Sequence, residues 1–170
     1  MSSKNRVAGG RIRGTGERHL VLVDVENIAG KPCPTDLDLD AVQAELLEVI
    51  PDLSEAQCIV ACSHIAAKKV AFAFPGARRR WRSGPDGADL ALIEEMNDLR
   101  VMGQFGRVTL CSGDGIFTES LSAVAALGIE TTVVSVETSL SRRLGMAAHR
   151  TVTILGPDTT PESPVLKEAS

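Results

Sequence analysis

His19-Leu20-Val21-Leu22-Val23-Asp24-Val25-Glu26-Asn27 is the stretch that decides the fold. From residue 19 to 25 it is aliphatic almost without interruption and lacks the in-out alternation of a strand with one face in water. A central strand of a parallel sheet, covered by helices on both faces, has this pattern. The exception is Asp24. A carboxylate directly after Leu-Val-Leu-Val is costly to bury without a partner. Either Asp24 merely ends the strand and caps a turn, or a positive group meets it there.

Working outward, apolar runs of strand and helix type alternate. Asp38 can cap a helix over 38–50, with Leu39, Val42, Leu46 and Val49 at helical spacing and Pro51 beyond its end. A strand follows at 57–62. A short helix over 65–74 is stopped by Pro75, and a strand then carries Arg78, Arg79, Arg80, Trp81 and Arg82. The pattern predicts a helix over 88–102, a strand at 108–111, and a helix over 117–127 closed by Gly128. A strand at 131–136, a short helix over 140–148 and a last strand at 151–155 complete it. This βα alternation predicts a three-layer α/β/α sandwich with a mainly parallel central sheet and right-handed crossovers. Residues 1–17 read as a flexible basic arm, 18–155 as the folded domain and 156–170 as a disordered tail.

Composition agrees. An apolar fraction of 44% with only 3% aromatics suits a sheet covered by helices better than a sandwich of short strands. The cysteines, Cys33, Cys58, Cys62 and Cys111, form no CxxC pair, which speaks against a zinc site or redox couple. The chain opens with no secretory pattern and holds no apolar run near the roughly 18 residues that cross a bilayer. A cytoplasmic protein without a membrane partner is the expectation. The net charge of −4 argues against a protein that coats nucleic acid. Its distribution does not: Lys4, Arg6, Arg11, Arg13 and Arg18 load the N-terminal arm, and Arg78–Arg82 form a second basic run that can lie against phosphate.

In open parallel sheets, ligands sit beyond the carboxyl ends of the strands. Asp24 ends the first strand there, and Asp114, in Cys111-Ser112-Gly113-Asp114-Gly115, follows the strand at 108–111. Asp89 arrives on a third element. It shares a helix stripe with Leu92, Ile93 and Met96, where an acid needs a reason. Each acid has a plain structural alternative: a strand end for Asp24, a capping box with Asp86 for Asp89, a tight turn for Asp114. Their convergence favours one shared site for a hard cation, Mg²⁺ or Mn²⁺, which takes oxygen ligands from a few carboxylates. Two other enzyme classes fit poorly. The glycines at 9–16 lack the GK[ST] ending of a P-loop, and a haloacid-dehalogenase-type phosphatase needs a second Asp where Glu26 stands. His19, His64 and His149 are scattered and receive no role.

The residues resemble the NYN branch of the PIN-like metal-dependent ribonucleases over nearly the whole folded part. Asp24-Val25-Glu26-Asn27 resembles the family's opening Asp-x-x-Asn, and Gly87-Ala88-Asp89-Leu90-Ala91-Leu92 its middle acidic motif. Ser112-Gly113-Asp114-Gly115 resembles its Ser-Gly-Asp loop, and Ser139-Leu140-Ser141-Arg142-Arg143-Leu144 its closing helix start. The resemblance implies a parallel PIN-like sheet, Asp24, Asp89 and Asp114 holding Mg²⁺ or Mn²⁺, Asn27 orienting a ligand or water, and hydrolysis of RNA phosphodiester bonds. Single-stranded RNA is then the expected partner. Arg78–Arg82 would flank the site, with Trp81 stacking on a base or else packing into the core, while Ser112, Ser139 and Arg142 would hold phosphate. A homodimer remains open. One departure matters: many relatives carry a further Asp two residues after the position of Asp114, and here Ile116 stands. Glu26 and Glu119 are the carboxylates that can substitute for it. The alternative reading is a degenerate NYN domain that binds RNA or a protein without cutting.

Overall fold

Leu20, Val21, Leu22 and Val23 are all fully buried, because β1, Arg18–Asp24, lies inside a six-stranded sheet with a strand on each side. In this computed structural model, residues 17–84, 86–98 and 102–157 are described. Residues 1–16 of the expected arm and 158–170 of the expected tail lie outside the described residues. The strand order is β3-β2-β1-β4-β5-β6, with β2 at Gln57–Cys62, β3 at Arg78–Trp81, β4 at Phe105–Cys111, β5 at Glu130–Val136 and β6 at Arg150–Ile154. Every strand pair is parallel.

The two-residue period of β1 divides the core. Val21 and Val23 pack into one cluster with α1 (Val25–Ala29), α2 (Asp36–Val49) and α3 (Ala67–Ala73), through residues such as Ile28, Leu46 and Val70. Leu20 and Leu22 pack into the other with α4 (Gly87–Asn97), α5 (Thr118–Ala126) and α6 (Arg142–Ala147), through Leu92, Leu121 and Leu144. The fold is thus the three-layer α/β/α sandwich that the aliphatic run requires, and its sheet is parallel throughout. No helix among the described residues is long and apolar enough to cross a membrane.

Three local readings of the sequence are corrected. The N-cap of α2 is Thr35, not Asp38. Thr35 Oγ1 accepts the Asp38 N–H at 3.2 Å and Asp38 Oδ2 accepts the Thr35 N–H at 2.7 Å, a reciprocal box that starts the helix earlier. The helix expected over 88–102 ends at Asn97, where the Asp98 backbone leaves helical geometry; residues 99–101 lie outside the described residues. The polar break after β1 is itself a helix, α1, with Asp24 as its N-cap.

The chain moves outward from β1 through β2 to β3 and then crosses back to β4 on the other side of β1. The crevice where the two halves diverge, beyond the carboxyl ends of β1 and β4, is where sheets of this kind bind ligands.

Candidate metal centre at the switch point

Asp24 occupies that crevice. It pairs in register with Ala61 at the end of β2, while its neighbour Val23 pairs with Cys111 at the end of β4. Only 3% of Asp24 is exposed. Its Oδ1 accepts the Asn27 N–H at 3.3 Å, the capping bond of α1, and its Oδ2 accepts the Ser112 hydroxyl at 3.0 Å. The tight turn from strand into α1 therefore follows from the side chain at the strand's end.

The loop after β4 is locked by three contacts. Asn27 Oδ1 accepts the Gly113 N–H at 2.8 Å, Ser112 Oγ accepts the Asp114 N–H at 3.2 Å, and the Ser141 N–H donates to the Gly113 carbonyl at 2.8 Å. Gly113 is required by close approach, since a Cβ there would lie 2.3 Å from the Ser139 carbonyl oxygen and 2.5 Å from Ser135 Oγ. Asp114 then starts a short 3-10 turn, its Oδ1 accepting the Ile116 N–H at 2.9 Å.

Asp89 comes from the first turn of α4. The helix start is pressed against the end of β3, where a Cβ on Gly87 would meet the Arg82 carbonyl oxygen at 2.5 Å. Asp86 at the N-cap has a left-handed backbone, φ 55°, and makes no side-chain capping bond, so the capping box that would explain Asp89 structurally does not form. Asp89 turns to the sheet instead and stands within hydrogen-bonding reach of Asp24.

Asp24, Asp89 and Asp114 line one polar cavity of about 230 Å³, together with Glu26, Asn27 and Asp86. Burial first, and then the Asp89 carboxylate beside it, push the Asp24 carboxyl up to about 8 against the lowering bonds from Ser112 and Asn27. Asp89 is raised as well, by burial and by the charges of Asp114, Asp86 and Glu26, while its bond with Asp24 opposes the rise. No ion pair from Lys, Arg or His reaches Asp24, Asp89 or Asp114 among the described residues. Nor, among the described residues, do three His, Cys, Asp or Glu side chains stand close enough to form a ready-made metal cage. The lining acids offer oxygen only, a donor set that suits Mg²⁺ or Mn²⁺ rather than zinc.

The family model of the NYN domain matches residues 18–155. The chain belongs to the NYN domain family, within the PIN-like superfamily. The fold is also similar to that of a protein of unknown function from Vibrio parahaemolyticus, with a TM-score of 0.58 at 20% identity over 82% of this chain and 93% of that one. No curated protein matches the sequence.

The remaining sequence-derived residues of this NYN domain are spread out. Ser112 lies beneath the cavity, fully buried, bonded to Asp24 and Asp114. Ser139 is exposed and lines a different hollow, with Ile28, Val136 and Ile154, and Arg142 is exposed at the start of α6. In the basic run, Arg78 and Arg80 both pair with the buried Glu95. Arg79 donates to the Ala71 and Pro75 carbonyls, and Trp81 packs half-buried against the α1–α3 side of the core. Only Arg82 borders the acidic cavity, its guanidinium held at 2.6 Å by the exposed Glu94. Glu119 is exposed and does not line the cavity, whereas Glu26 does, fixed by the Ser63 N–H at 2.9 Å. Asp86 was expected only as a helix cap and Ser63 was given no role; their only signal as cavity residues was position, just before Asp89 and just after β2.

Proposed function

We propose that this NYN domain hydrolyses RNA phosphodiester bonds with Mg²⁺ or Mn²⁺ held by Asp24, Asp89 and Asp114. The observation that carries this reading is Asp24 itself, a carboxyl buried at the switch point beside a second one, with no ion pair to either among the described residues. A fold does not retain such a pair for stability. A bound cation would supply a water of lowered pKa and offset charge on the phosphate oxygens. The chain's own groups do the positioning. Ser112 and the Asn27 N–H aim Asp24, Asn27 Oδ1 braces the loop that presents Asp114, and Gly87 lets α4 bring Asp89 to the same cavity. Arg82 at the rim is placed to meet a phosphate once it leaves Glu94.

Ile116 favours a second reading, in which the domain binds RNA without cutting it. Its side chain is 39% exposed where many relatives carry a further acid. The two readings separate in one experiment: labelled single-stranded RNA is incubated with Mg²⁺ or Mn²⁺, with chelator and Asp24→Asn as controls. Cleavage abolished by both controls supports the nuclease; metal-independent binding without cleavage supports the binding module. Cleavage indifferent to both controls would sink the acidic site.

A further inference from the structure

The sheet has two open edges, and they are built differently. The β3 edge is blunted by the consecutive arginines Arg78, Arg79 and Arg80, a common device against pairing with another chain. The β6 edge, Arg150-Thr151-Val152-Thr153-Ile154, has no lysine, proline or acid within it. Thr151 and Thr153 are exposed along it. The chain also leaves this edge clear as far as it is described: at Gly156 it turns back over the sheet, within reach of Val136 and the Ile28 carbonyl, and the Gly156 N–H donates to Glu45 at 3.0 Å.

Both faces beside this edge carry exposed apolar side chains. Met146, 77% exposed, belongs to α6, which packs its Gly145 against Thr151. Leu155, 69% exposed, follows β6 directly. Charge is distributed asymmetrically along the strand. Arg150 stands exposed at one end, with no ion pair or side-chain hydrogen bond among the described residues. At the other end Glu45, Glu48 and Glu137 line a hollow of about 270 Å³ with Thr153, Ile154 and Leu155.

We propose that the β6 edge pairs with the β6 edge of a second copy of this chain, antiparallel across a two-fold axis at Val152, so that two sheets become one. This register sets Thr151 opposite Thr153 of the second copy, a favourable cross-strand pair. It also sets Arg150 opposite Ile154 of the second copy, on the sheet face where Glu45 and Glu48 lie. Each copy thus offers its cation to the other's glutamate hollow, twice by symmetry. The pairing leaves both acidic cavities free, opening at opposite strand ends of the joined sheet, and it stands whether or not they cleave RNA.

Light scattering on the full chain at micromolar concentration tests this. A dimer is expected. Arg150→Glu should weaken it about tenfold or more by setting like charges together, and adding Glu48→Lys and Glu137→Lys to that variant should restore it. Thr151→Lys with Thr153→Lys should also yield monomer, with an unfolding curve that shows the fold intact. A monomeric wild type overturns the proposal, as does a dimer indifferent to Arg150→Glu or a charge swap that fails to restore pairing. A monomer that dimerises only after removal of residues 158–170 overturns it too, because the tail would then be the natural occupant of the edge.

Discussion

The Ser112 hydroxyl donates to Asp24 Oδ2 at 3.0 Å, joining the carboxyl ends of the two strands between which the order of strand addition reverses. The same oxygen accepts the Asp114 N–H at 3.2 Å, so one fully buried hydroxyl fixes two acids of the cavity. Ser112→Ala removes a bond that lowers the Asp24 pKa and leaves the Asp114 N–H without this acceptor. The variant should lose about 1–3 kcal/mol of stability and bind Mn²⁺ less tightly. Urea unfolding and metal titration check this; an unchanged unfolding midpoint would remove Ser112 from the account.

Asp24→Asn should separate stability from function. The Asp24 carboxyl is raised in the folded state from 3.8 to about 8, so the folded protein holds a proton that the unfolded chain gives up. Below 3.8 both states are protonated and the group has no effect. As pH rises from there to about 8, the metal-free protein loses stability progressively. Without metal, Asp24→Asn should therefore melt above the wild type, by a margin that widens over that window. With Mn²⁺ the order should reverse, because only the wild type gains a ligand. Melting curves with and without metal, taken across pH, decide it.

Asp24 and the core face of β1 were legible in the sequence because burial leaves a direct signature: an aliphatic run without alternation, broken by one acid. That Asp114 lies near it was legible from strand ends, since parallel strands bring their carboxyl ends together, while Asp89 was legible only as an acid on the apolar stripe of a helix. Helix α1 was not. Its five residues are too few for a period to emerge, and its start is fixed by a capping bond from Asp24. Nor was the fate of the arginine run. Whether Arg80 faces phosphate or Glu95 depends on how α4 lies against β3, a tertiary relation that spacing along one strand does not contain.

Gly113→Ala should disable the site without touching an acid. The added Cβ would meet the Ser139 carbonyl oxygen at 2.3 Å, a backbone atom that cannot rotate away. The loop must move, carrying Asp114 with it and breaking the bond between Asn27 and the Gly113 N–H. A loss of about 2 kcal/mol or more is expected, within the range for overpacked sites, together with loss of metal-induced stabilisation. A variant that keeps its metal response would mean that Asp114 takes no part in binding.

Glu95→Gln should raise affinity for RNA while lowering stability. Glu95 is nearly buried, and its charge is matched by Arg78 and Arg80 from the neighbouring strand. Neutralising it leaves two guanidinium groups free beside Arg82, and free cations are what phosphate binding rewards. Both arginines are more than a third exposed, so the stability cost should stay at about 1 kcal/mol or less. Anisotropy with labelled RNA over a salt series should show tighter binding and a steeper salt dependence. Unchanged binding would place the RNA path away from β3.

Far from the acidic cavity, at the amino ends of the strands, a second carboxylate is held by cations. His19, almost buried at the start of β1, bridges Asp52 Oδ2 at 3.0 Å and Thr109 Oγ1 at 2.8 Å, and Arg107 donates to the same Asp52 oxygen at 2.7 Å. Partial burial pushes the Asp52 carboxyl up, but the bonds and charges of His19 and Arg107 outweigh it and leave its pKa below the ordinary 3.8. Because the folded value is depressed, the stabilisation is complete above 3.8 and is lost as pH falls through the folded value. Asp52→Asn should therefore be less stable than the wild type at neutral pH, by about 1–2 kcal/mol. The gap should close in strong acid, where the wild-type carboxyl is itself protonated. A gap that persists unchanged into that range would mean that Asp52 acts by packing and not by charge.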